Sequence, residues 1–200
     1  MTSERRSQGD RSAATRERLI RVAREQFAQS GYAGVGTEAI VRQAGLTRGA
    51  LYHQFKDKAE LFAAVVEAVE ADVMNRIGQV VVAESAIDPI TAIKLGADGW
   101  LDACADPAVS RILLLDAPAV LGWERWRAIG LYHEIGLVQA LLTSAIEQGR
   151  VPAQPVAPLA HLLIGAMDEA ALYVVRQDDP DLARTQVRVV LARLIDAMTT

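Results

Sequence analysis

At 200 residues the chain is long enough for one good core or two small ones. Apolar residues make up 51% of it and charged residues 23%, a balance that excludes a natively disordered chain. The net charge of −4 hides a split: residues 1–58 hold 11 Lys and Arg against 6 Asp and Glu, and residues 59–200 hold 10 against 19. Only the first part suits a polyanion, and the acidic remainder should be repelled by one.

The opening residues, MTSERRSQGDRS, have no apolar core after their arginines. They read as a disordered polar arm over residues 1–12, not as a signal peptide. Residues 15–30 follow as a helix with Leu19, Ala23 and Phe27 on one stripe and Ile20 beside it. Gly31 closes that helix, and Arg16, Arg18, Arg21 and Arg24 are left to solvent or phosphate.

Between Thr37 and Lys58 the chain reads TEAIVRQAGLTRGALYHQFKDK. Ile40, Val41 and Ala44 give a short helix one apolar side. Gly45 stands where a left-handed residue must end it, since glycine takes positive φ without steric cost. Thr47 then offers an oxygen to an orphan backbone N–H and reads as the N-cap of a second short helix. Leu51 and Phe55, four apart, pack inward, while Arg48, Ala50, Tyr52 and His53 face away. Asp57 and Glu60 are spaced as a capping box that opens a third helix. Two helices joined by so short a glycine turn make a helix-turn-helix. The competing reading, a plain αα-hairpin of a bundle, would bury Tyr52 and put no polar cluster on so short a second helix.

Beyond Lys58 the only regular element the pattern supports is helix. Residues 58–83 form a long one through Leu61, Val65, Val69 and Val73. Asp88-Pro89 starts another, ending near Asp106-Pro107, with proline tolerated in the first turn. Residues 107–118 form a short apolar helix ending near Pro118, and residues 123–149 a long one from Trp123. A proline-rich loop, Val151–Pro158, precedes the last two helices, 157–177 and 180–198. Both carry apolar residues on two sides, so each needs two partners. One partner is the chain's own core. The second is another subunit or further burial within a monomer, and pattern alone leaves both open. The lone Cys104 permits no internal disulfide and no cysteine metal cluster, which points to a reducing, cytoplasmic setting. No run of about 18 uninterrupted apolar residues marks a membrane span.

The order Phe27, Gly31-Tyr32, Thr37, Ile40, Ala44-Gly45-Leu46-Thr47, Gly49, Leu51-Tyr52, Phe55, Lys58 resembles the N-terminal DNA-binding domain of TetR-family transcriptional regulators. The match covers roughly residues 13–65, and GALYHQFKDK is its most specific part. The resemblance implies an all-α fold: a helix-turn-helix DNA-binding domain at 13–60 and a ligand-binding and dimerisation domain at 61–200. It implies a homodimer through the helices at 157–177 and 180–198, with the two reading heads about 34–36 Å apart in successive major grooves of double-stranded, palindromic DNA. Thr37 and Lys58 match phosphate contacts of the family. Gly36 stands where Thr or Ser is usual and Val41 where alanine is usual, which suggests a late start for the first helix of the motif.

The residue chemistry assigns further roles. Thr47 and its backbone N–H suit a phosphate oxygen. Arg48 can bond guanine O6 and N7 bidentately, Gly49 permits close backbone approach, and Ala50 can touch a thymine methyl. Tyr52 and His53 are assigned to phosphates, and Gln54 to either role or to solvent. The family's effector pocket is expected to draw on Trp100, Trp123, Trp126, His133, Met167, Asp168, Glu169 and Tyr173. Of these, Asp168 and Glu169 interrupt an apolar helix, and a buried carboxylate needs a partner. Either one of them faces the cavity, or one meets solvent while the other bonds across the dimer. The pattern offers no metal site and no cofactor motif: no Glu-x-x-His pair, no phosphate loop and no nucleophile elbow. The alternative functions are a ligand-independent architectural DNA binder and, behind it, a helical enzyme without a recognisable catalytic motif; the architectural binder predicts a solid second domain where a sensor predicts a cavity of about a few hundred Å³.

Overall fold

The fold is that of a computed structural model describing residues 8–85 and 88–199, in which every regular element is a helix and no strand occurs among the described residues. In chain order these are α1 (Gln8–Gly34), α2 (Thr37–Ala44), α3 (Arg48–Gln54), α4 (Lys58–Ser85), α5 (Pro89–Cys104) and α6 (Pro107–Ser110). A π-helical segment, Arg111–Asp116, leads into α7 (Ala117–Leu121), followed by α8 (Trp123–Glu147), α9 (Val156–Val175) and α10 (Pro180–Asp196).

Local chemistry explains the punctuation. Gly45 adopts φ 60° and ψ 37° at the end of α2, and its N–H donates to the Arg42 carbonyl. Thr47 accepts from the Ala50 N–H at 3.1 Å, capping α3 as its sequence foretold. Three helices begin with the same device, Asp88-Pro89, Asp106-Pro107 and Asp179-Pro180. In each, the aspartate accepts backbone N–H groups of the first turn, while the proline occupies a position where no N–H is needed.

Several boundaries differ from those the sequence suggests. Helix α1 starts at Gln8, so the expected disordered arm is helical from there; Ser12 accepts from Gln54 Nε2 at 2.8 Å, which ties this early turn to α3. Residues 1–7 of that arm lie outside the described residues. Helix is counted through Gly34, but Gly31 at φ 69° breaks its direction where closure was expected. Pro118 does not end the 107–118 helix: the π-helical turn before it removes the hydrogen bond its ring would block, and Pro118 sits in the first turn of α7. The expected capping box is half formed. Asp57 accepts the Glu60 N–H at 2.9 Å, but the Glu60 carboxylate turns away to Arg125 on α8.

Helix α4 organises the molecule. Its first turns bury Leu61 and Phe62 against α1, with the Phe62 ring 5.1 Å from Phe27 and 5.0 Å from Tyr32. Further along, Val73, Ile77 and Val81 enter the core formed with α5 and α8. One continuous core therefore runs from Leu19 to Ile195, and α4 belongs to both ends of it. Helices α8 and α9 are long and apolar enough by composition to cross a membrane, with mean hydropathy 1.3 each. Both pack into this core through Leu142, Ala145, Leu163 and Ile164.

Candidate DNA interface and effector cavity

The N-terminal head is a buried triangle, α1 to α3, that leaves α3 prominent. Leu51 and Phe55 are buried, whereas Thr47, Arg48, Gly49, Tyr52 and His53 are exposed and Ala50 is half-buried. Arg48 reaches Glu38 at 3.4 Å, with both side chains largely in solvent, and its guanidinium lies 5.8 Å from the Tyr52 ring centre. An exposed pair of this kind contributes little, so it leaves Arg48 free to exchange Glu38 for a base edge or a phosphate. Thr37 is the first residue of α2, and Gly36 holds the cap position without any side-chain oxygen to offer.

Other polar groups of the head are committed internally. Lys58 donates to the carbonyls of Tyr32 and Val35, both at 2.7 Å, and sits 3.9 Å over the Tyr32 ring. Burial lowers its pKa from the ordinary value. The lysine expected at a phosphate thus pins the turn between α1 and α2, keeping one N–H of its three for other partners. Gln54 bonds Ser12, and its carbonyl accepts from Arg16, whose guanidinium lies 4.4 Å over Phe55. Arg24 pairs with Asp72 and Arg21 with Glu25, so these arginines do not all stand free.

Besides Arg24–Asp72 and the Lys58 bonds, polar links tie the head and the start of α4 to later helices. The Tyr32 N–H donates to Asp116 Oδ2 at 2.7 Å, from the π-helical segment. Glu60 and Arg125 form a two-pronged pair at 2.6 and 2.9 Å, which holds the Glu60 carboxyl below its ordinary pKa. Sequence pattern alone did not reveal either link, because each joins residues more than sixty apart.

Between α4, α5, α8 and α9 lies a cavity of about 50 Å³, smaller than the volume expected of a sensor. Ile77, Val81, Ile93 and Leu141 supply apolar wall, and Trp100, Met167 and Asp168 also line it. A narrower extension runs past Trp126, Arg127 and Glu70. Of the other expected lining residues, Trp126 borders this extension and the remaining four lie elsewhere. Trp123 is 65% exposed and stacks obliquely on Trp126 from outside. Trp126 itself is buried, its Nε1 donating to the Leu113 carbonyl at 2.8 Å. His133 lines an outer groove with Arg16 and Tyr132, and Glu169 and Tyr173 face outward on α9. The reason is helical phase: Asp168 and Glu169 are adjacent and point about 100° apart, so one enters the cavity and the other leaves it.

Sequence reasoning missed three cavity residues, Glu70, Arg127 and Glu134. Glu70 and Glu134 are 4% and 7% exposed, and Asp168 is held by Arg127. Burial raises Glu70 well above the carboxylate range, and the neighbouring Glu134 pushes it further. Burial also raises Glu134, against a hydrogen bond from Glu70 and the Arg127 charge. Asp168 is pushed up to about 7 by burial and Glu134, against the pull of Arg127. Glu70 falls in the same stripe as Phe62, Val66 and Val73, and only the burial of that stripe in the fold shows that its carboxyl needs a partner.

The family model for bacterial regulatory proteins of the tetR family matches residues 19–65, and that for the tetracyclin repressor-like C-terminal domain matches 90–198. The chain belongs to the TetR family. A TetR-family transcriptional regulator from Pectobacterium atrosepticum is 31% identical, with 98% of each chain covered and a TM-score of 0.84. The nucleoid occlusion factor SlmA of a Marinomonas species is 29% identical over 170 residues, covering 82% of this chain and 84% of its own. RolR, solved with resorcinol, shares the fold at 20% identity and a TM-score of 0.74, with 94% of this chain and 90% of its own covered. The protein is therefore a TetR-family transcriptional regulator with an N-terminal DNA-binding domain.

Proposed function

We propose that this TetR-family protein is a cytoplasmic one-component repressor, whose homodimer binds a palindromic operator and responds to a small molecule held between α4, α5, α8 and α9. The observation that carries the reading is the exposed polar face of α3, built on a buried Leu51 and capped by Thr47. Arg48 reads a base, and Thr37, Thr47, Tyr52 and His53 hold phosphates, with Lys58 keeping the α1–α2 turn in place behind them.

Pairing rests on the outer face of α9 and α10. Leu162 is 73% exposed and Leu194 54%, alongside Val190, Leu182 and Tyr173. Large apolar side chains left in water on two adjacent helices are what a second copy covers in a four-helix interface. Glu169, on the same outward stripe, lies across that interface in this reading.

Switching follows from connectivity. An occupant of the cavity touches α4, whose start carries Lys58 and Glu60; the Asp116–Tyr32 bond gives a second path to the head. A ligand favours the DNA-bound or the released spacing of the heads only by binding the two states unequally. The small cavity also favours a second reading, a ligand-independent DNA binder. Selection of binding sites from random duplex DNA, followed by footprinting, tests the function. Two inverted half-sites with centres about one helical turn apart are expected. A single unpaired site, or no enrichment, overturns the dimeric operator reading.

A further inference from the structure

Trp100 brings an unanswered donor to the cavity wall. It is 5% exposed and lines both the cavity and its extension, yet its Nε1 has no hydrogen-bond partner among the described residues. Trp126, which also borders the extension, shows how such a group is ordinarily met: its Nε1 donates to the Leu113 carbonyl at 2.8 Å. The other bare buried nitrogen among the described residues, Arg188 Nε, at least has the Asp98 carboxylate 3.5 Å away. Buried polar groups are nearly always satisfied, and an indole N–H can only donate. Trp100 therefore calls for an acceptor, and the cavity it borders is the space from which one can come.

The remaining lining narrows the chemistry of that acceptor. Glu134 and Asp168 are the acidic residues on the main cavity, and its other walls are mostly apolar. An anionic acceptor would meet both acids, with Glu70 beyond them, in a poorly screened site. Arg127, the one cationic residue among the described residues lining the cavity and its extension, is already paired with Asp168. An ammonium has no lone pair to offer the indole, and a hydrocarbon leaves it bare. A carbonyl oxygen accepts from Trp100 but has no hydrogen to give a carboxylate. A hydroxyl does both: its oxygen accepts from the indole while its own hydrogen is donated to a carboxylate oxygen. Size follows from the volume, since about 50 Å³ holds roughly three to five water-sized groups at 10–15 Å³ for each.

We infer that the cavity binds a small neutral alcohol, whose oxygen accepts the Trp100 Nε1–H, whose O–H donates to Glu134 or Asp168, and whose carbons lie among Ile77, Ile93 and Leu141. This inference rests on the reading of the cavity as the effector site and specifies the effector's class. Trp100 is the residue that selects for oxygen, and the apolar wall sets the length of the carbon chain.

The test follows the indole N–H resonance of Trp100 in the full-length protein, assigned by through-bond correlation in the parent so that it does not depend on a variant folding. The protein is titrated with 2-butanol, 2-butanone and 2-butanethiol, which match in shape and offer a donor with an acceptor, an acceptor alone, and a sulfur weak as either. Butylammonium and butyrate complete the series. 2-Butanol should move the Trp100 N–H downfield with saturation, binding about tenfold more tightly than the thiol and about threefold more tightly than the ketone. Butylammonium and butyrate should leave the resonance in place. In Trp100→Phe, calorimetry should show the preference for alcohol over thiol abolished. No saturable movement by 2-butanol, affinity for the thiol or the ketone equal to that for the alcohol, or a preference retained in Trp100→Phe overturns the inference. Operator affinity recorded in parallel separates it from the sensor reading. A thiol that binds as well as the alcohol and changes operator affinity overturns the alcohol class and leaves the effector site standing. An alcohol that binds through Trp100 without changing operator affinity supports the class and removes the effector role.

Discussion

Replacing Asp168 by asparagine should flatten the dependence of stability on pH between 5 and 8. The carboxyl is buried against Glu134 and Arg127, and its pKa of about 7 compares with 3.8 for the free group. A raised acid binds its proton more tightly in the folded state, so its stabilising contribution is complete below pH 4 and is lost as pH rises through 7. Between pH 5 and 8 the loss from this one group comes to roughly 2–3 kcal/mol. For a chain of this size that corresponds to roughly 5–10 °C in melting temperature. Glu60 and Asp88, whose pKa values are lowered, have the opposite slope, but their transitions lie below this window. The assay is thermal unfolding at pH 5, 6, 7 and 8, at one protein concentration so that any subunit association is held constant. The parent should lose stability across the series by more than Asp168→Asn does, by roughly the 2–3 kcal/mol above. Parallel curves for the two proteins would refute a neutral-leaning Asp168.

Four other variants probe separate links. Lys58→Met removes two bonds to the Tyr32 and Val35 carbonyls and should destabilise the head by roughly 1–3 kcal/mol, seen as faster amide exchange in α1–α3. Thr47→Ala should cost about 1 kcal/mol through the lost α3 cap, read by chemical denaturation. Leu162→Asp together with Leu194→Asp should convert a dimer to a monomer in sedimentation equilibrium, with helical content retained. Asp116→Ala should leave the Tyr32 N–H without its acceptor and weaken the response of operator affinity to a bound effector, measured as a smaller ratio of affinities with and without it.

The parts of this molecule written in local sequence were readable, and those made by distant packing were not. Gly45, Thr47 and Leu51 act within a few residues of their own positions, so turn, cap and inward face all followed from spacing. The Asp-Pro helix starts were readable for the same reason. Helix ends at Gly34 and Leu121 were less so, because a mid-chain glycine kink and a π-helical turn depend on what packs beside them. The exposed face of α3 was visible because exposure there follows from the burial of Leu51 and Phe55. Lys58 was placed by its family position, yet its actual partners are carbonyls brought near by the α1–α2 turn. The cavity was the least legible region. Of eight residues expected there, Trp123, His133, Glu169 and Tyr173 point elsewhere, since aromatic or polar character alone does not fix helical phase. Glu70 and Glu134 reveal themselves only when the stripe they interrupt is known to be fully buried.

The proposed function stands on sequence-selective DNA binding by the exposed face of α3. Fluorescence anisotropy with duplex DNA from the gene's own upstream intergenic region, at two salt concentrations, tests it most directly. The parent protein should bind that duplex in preference to a scrambled one, with affinity falling as salt rises. Arg48→Ala should lose roughly 1–3 kcal/mol of that preference. Equal binding of both duplexes, or an unchanged preference in Arg48→Ala, would contradict the assignment of α3 as the reading helix.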